Sequence, residues 1–100
     1  MTARDLEQAV LDRCISGALG RVDTAQSQTE ASVFRFAAMA LDTANKTWST
    51  ALWHASDAYF SKYPGDAPAP LADLIRTGHV LSVSRLRDML LMQLSRQVAH

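Results

Sequence analysis

The chain has 100 residues, of which 48% are hydrophobic and 20% charged, with ten basic and ten acidic side chains and a formal net charge of zero. Such a composition suits one globular domain with a modest core; it excludes a disordered chain and needs neither metal nor disulfide to hold it. With no overall field to draw it onto polyanions, neither nucleic acid nor a membrane surface is an expected partner.

Residues 3–19 read as a first amphipathic helix. Thr2 is its N-cap, Asp5 and Glu7 complement the dipole in the first turn, and Leu6, Val10, Cys14 and Ala18 recur every fourth residue. Gly20 is the expected stop. Cys14 continues the apolar stripe and is the only cysteine. It is expected in the core, and a lone thiol with no internal disulfide suits a cytoplasmic location. Asp5, Glu7 and Asp12 interrupt the opening residues, so no signal peptide is expected. Apolar runs such as Ala37 to Leu41 and Met89 to Met92 are too short to cross a bilayer.

A second helix is expected from between Thr24 and Thr29 to Ser61 or Lys62. Phe34, Ala37, Leu41, Ala44, Trp48, Ala51, Ala55 and Ala58 are spaced alternately three and four residues apart, a heptad seam with alanine at every seventh position. The spacing predicts one continuous helix of about 35 residues, about 50 Å long at the α-helical rise. Leucine at Ala44 or Ala51 is then expected to overpack the seam. Asp42 and Lys46 form an acid-before-base pair along it, whereas Thr43, Thr47, Ser49 and Thr50 are weak helix formers that burial must hold. Tyr63, Pro64 and Gly65 end the segment.

Pro70 opens a short third helix carrying Leu71, Leu74 and Ile75, and Gly78 stops it. Ser82 or Ser84 caps a fourth helix reaching about Val98, with Val83, Leu86, Leu90 and Leu94 on one face. No alternating strand pattern competes. The expected fold is all-α: one domain over residues 1–100, a small bundle of three to four helices built around one long central helix.

Function is written less plainly than fold. Trp53 and Phe60 lie seven residues apart off the seam, with Phe36 and Met39 continuing that side. A helix with two apolar faces must meet two surfaces: either it is wrapped by its own chain, or the second face anchors a partner. Met89 to Met92 likewise cover more of the fourth helix than one core face requires. Phe36, Trp53, Phe60, Met89 and Met92 are therefore the candidate partner-binding residues. The mismatch between the long helix and its shorter neighbours points to a homodimer.

Catalysis is not expected. His54 and Asp57 are a single pair three residues apart, and no metal motif, phosphate-cradling glycine loop or serine elbow accompanies them. No catalytic residue, metal or cofactor is assigned. Residues 70–98 have the crude order of a helix-turn-helix, with Arg85, Arg87 and Arg96 on the last helix, but the turn around Gly78 is too long. Trp48 is followed by Ser49 and Thr50, so the chain departs from the small secreted helical hairpins marked by Trp-x-Gly. In gross layout it is similar to small all-helical bacterial anti-activators that dimerise and sequester a transcription regulator. That resemblance implies a non-enzymatic interaction module acting as a regulatory inhibitor or anti-activator. A structural or chaperone subunit of a secretion or phage apparatus is the alternative, and a DNA reader ranks third.

Overall fold

The computed structural model describes Asp12, Cys14, Val22 and residues 24–98. Among these, four helices carry the chain and no strand occurs: α1 (Gln28–Leu41), α2 (Lys46–Lys62), α3 (Leu71–Arg76) and α4 (Val83–Val98). The small all-α bundle is as the periodicity predicts. The helix expected over residues 3–19 lies outside the described residues apart from Asp12 and Cys14, which are helical. Cys14 is fully buried in the core, where its stripe places it. No described helix is long and apolar enough to cross a membrane.

The expected continuous central helix is in fact two helices. α1 stops at Leu41, and the chain turns through Asp42 to Asn45 before α2 begins. Asn45 is the device that restarts it: its backbone is extended (φ −152°) and its side chain accepts from the Trp48 amide at 3.2 Å. Asp42, Thr43 and Asn45 all bond readily to nearby backbone, which favours turns and caps over helix interiors. The Asp42–Lys46 ion pair does form, at 2.9 Å, but it spans the turn instead of stiffening a helix. The seam is interrupted with it. Phe34, Ala37, Leu41, Trp48 and Ala55 are buried and Ala51 is half-buried, but Ala44 and Ala58 are exposed.

The turn folds α2 back along α1 as an antiparallel hairpin. Ser49 Oγ donates to the Ala38 carbonyl at 2.7 Å, and Ser56 Oγ donates to the Ala31 carbonyl at 2.8 Å. All four residues are nearly or fully buried, and each pair is spaced by seven. Side chains this small let the helices approach until a hydroxyl reaches the facing backbone, which satisfies a polar group that burial would otherwise penalise. The close-packed seam is therefore Ala31 and Ala38 against Ser49 and Ser56. Leucine at Ala38 should destabilise the protein by about 1–3 kcal/mol through overpacking, while leucine at exposed Ala44 should leave the denaturation midpoint nearly unchanged.

α1 is the hub, since α2, α3 and α4 all pack on it. Tyr63 caps α2 through its amide to the Tyr59 carbonyl, and the following loop returns across the start of α1. Three bonds fix that loop. Tyr59 donates its hydroxyl to Asp66 Oδ2 at 2.6 Å, Gln28 Nε2 donates to the Ala67 carbonyl, and the Ala69 amide donates to Ser32 Oγ at 2.8 Å. The bond to Asp66, reinforced by burial and by the carboxylate's charge, pushes the Tyr59 phenol up to about 12 from its ordinary value of 10.0. α3 then ends as its glycine predicts. Gly78 takes φ 83°, and its own amide and that of His79 return to the Ile75 and Leu74 carbonyls, a Schellman motif. Ser82 starts α4, with its Oγ accepting from the Arg85 amide at 3.1 Å. Leu86, Leu90 and Leu94 turn inward and are buried.

Candidate interaction surface

Building α1 residue by residue shows where it stays open. Ala31, Phe34, Ala38 and Leu41 are buried on the hairpin side, and Val33, Ala37 and Ala40 are buried further round the helix. Ser32 lies under Ala69. Arg35 and Phe36 are only half-buried, and Met39, one turn beyond Arg35, is 47% exposed. The uncovered strip of the hub helix is therefore Arg35 and Met39, bounded at one end by the loop pinned to Gln28 and Ser32.

α2 supplies the edge of that strip. Trp53, Asp57 and Phe60 are spaced by four and three residues and share one helix face. The Arg35 guanidinium carbon lies 5.3 Å from the Trp53 ring centroid and 5.1 Å from that of Phe60, and its Nη2 donates to Asp57 Oδ1 at 2.9 Å. Tyr59 packs edge-on against Phe60, with centroids 5.3 Å apart. An exposed cation–π contact contributes about 0.5–1 kcal/mol, and an exposed ion pair at most about 1 kcal/mol. Together they hold the guanidinium flat against the hairpin. Arg35 Nε is buried there without a hydrogen-bond partner among the described residues. The Arg35 side chain as a whole keeps 26% exposure, and that of Asp57 keeps 59%.

Of the candidate partner-binding residues, the structure joins Trp53 and Phe60 through Arg35, both rings being partly buried against the core on their inner side. Phe36 follows Arg35 on α1 but is turned about 100° round the helix, half-buried against the core. Met89 is half-buried against the core on α4, and Met92 is 55% exposed on that helix's outer face, with Arg96 Nη2 3.6 Å from its sulfur. Leu90 is fully buried and Leu91 partly buried against the core, so the run from Met89 to Met92 is not exposed as a whole. Arg35 is the residue that sequence reasoning missed. On an unbroken helix, residues 35 and 53 would lie about 27 Å apart; only the return at Asp42 to Asn45 brings them into contact.

The geometry also bears on a helix-turn-helix. α3 and α4 are linked by residues 77–82 and both pack on α1. Two of the arginines in this region are engaged locally, Arg76 with Asp73 at 3.1 Å and Arg87 with Asp88 at 3.3 Å. Among the described residues, no three His, Cys, Asp or Glu side chains converge into a group able to hold a metal ion. No family model matches the sequence, and neither a curated protein nor a solved structure matches it.

Proposed function

We propose that the chain is a non-enzymatic helical interaction module, a cytoplasmic regulatory inhibitor or anti-activator whose product is occupancy of a partner protein's surface. One observation carries the reading: Trp53 and Phe60, the aromatic pair outside the seam, stand half-buried around Arg35 beside exposed Met39. Aromatic residues and arginine dominate the energetics of protein interfaces, and methionine adapts its shape to what it meets. A rigid hairpin edge presents them with little ordering left to do on binding.

Affinity capture from the native host tests this, comparing the unaltered chain with Trp53→Ala and Phe60→Ala. The expected result is loss of a specific partner with both variants while the helical circular dichroism is kept. If Trp53→Ala and Phe60→Ala unfold the isolated protein, these rings are core and the anchor reading fails. Equal capture by variants that remain folded would also overturn it.

A further inference from the structure

Resting on that reading, we infer that in the free protein the Arg35–Trp53–Asp57–Phe60 edge is a self-association surface, occupied by a second copy of the same chain that a partner protein must displace. The argument is one of charge. The edge carries one cation and one anion side by side, Arg35 with 26% and Asp57 with 59% of its side chain exposed. Asp57 Oδ1 accepts from Arg35 Nη2 at 2.9 Å, a single bond that leaves the carboxylate with further acceptor capacity. A patch bearing both signs complements itself when rotated by a two-fold axis, so that Arg35 of each copy meets the Asp57 carboxylate of the other.

The apolar residues around this pair fit the same arrangement. Met39 lies one turn along α1 from Arg35, and Trp53 and Phe60 flank the guanidinium. Pairing two copies covers all three and removes water from the ion pairs, which strengthens charge-assisted hydrogen bonds. Zero net charge leaves no long-range repulsion between copies.

The test uses the full chain and two opposed variants. Arg35→Glu makes the edge doubly negative, and Asp57→Arg makes it doubly positive; neither restores the intramolecular pair. Light scattering across a wide concentration range should give a dimer mass for the unaltered chain. Each variant alone should be monomeric, its dissociation constant raised about tenfold or more. An equimolar mixture of the two should give a heterodimer, since every contact across the axis is again between opposite charges. If Arg35→Glu does not fold, Met39→Glu at an exposed position serves in its place as a single lesion, and it too must yield a monomer.

Three results overturn the inference. A monomer mass for the unaltered chain at every concentration removes it, and partner capture lost with Trp53→Ala would then leave the interaction reading standing alone. A dimer unaffected by Asp57→Arg and Met39→Glu places self-association elsewhere, with Met92→Glu as the check on the outer face of α4. Two folded variants that stay monomeric when mixed show that the charges do not meet across an axis.

Discussion

Phe34→Ala should lower the stability of the fold by about 3–5 kcal/mol, read as a shift in the urea denaturation midpoint at unchanged slope. Phe34 is fully buried in the middle of α1, the helix on which α2, α3 and α4 all pack. Its neighbours cannot close the void easily. Ala31, Ala37 and Ala38 are already small, and Ser49 and Ser56 are fixed by hydrogen bonds to α1 carbonyls. A rigid surround preserves the cavity and places the cost toward the upper end of the range. A loss below about 1 kcal/mol would mean that the hub repacks freely, contrary to the close seam beside it.

Trp48→Ala should cost a similar amount, about 3–5 kcal/mol, and should do so whether or not a partner is present. Trp48 is only 7% exposed and sits in the first turn of α2, where its amide also receives the Asn45 cap. Removing the indole empties the closed end of the hairpin. Trp53→Ala is the comparison. Trp53 is half-buried, so it should lose less folding energy and more binding, together with the cation–π contact to Arg35. Denaturation of the two variants side by side decides it: equal losses would make Trp53 a core residue and remove it from the interaction surface.

Most of the secondary structure was legible because its signals are local. Gly78 marked a left-handed stop, Ser82 marked a helix start, and the spacing of Leu86, Leu90 and Leu94 marked a buried face; each depends only on backbone sterics or on the 3.6-residue period. Composition likewise set one modest core.

The heptad seam misled at Ala44, which lies in the turn, and at Ala58, which is exposed on α2. Two helices joined by a short turn can preserve the register of an unbroken one, so Leu41 and Trp48 are both buried although Ala44 between them is exposed in the turn. Periodicity reports which residues are apolar at helical spacing, not whether hydrogen bonding continues between them. Asp42, Thr43 and Asn45, all weak helix formers, were the local sign, but their deficit is comparable to what burial of a seam could offset. The seam therefore pointed to one continuous helix, and the structure divides it.

What the sequence by itself determined was an all-helical chain with a buried Cys14, a closed leucine face on α4 and an aromatic pair set apart from the seam. Only the tertiary structure decided that α2 runs back along α1. That reversal shortened a separation of about 27 Å to contact and laid Arg35 across Trp53 and Phe60 with Asp57 beside it. The physical reason is the reach of the interactions: caps and helical periods act over three to seven residues, whereas the Arg35 site joins residues 22 apart, which no local pattern brings together.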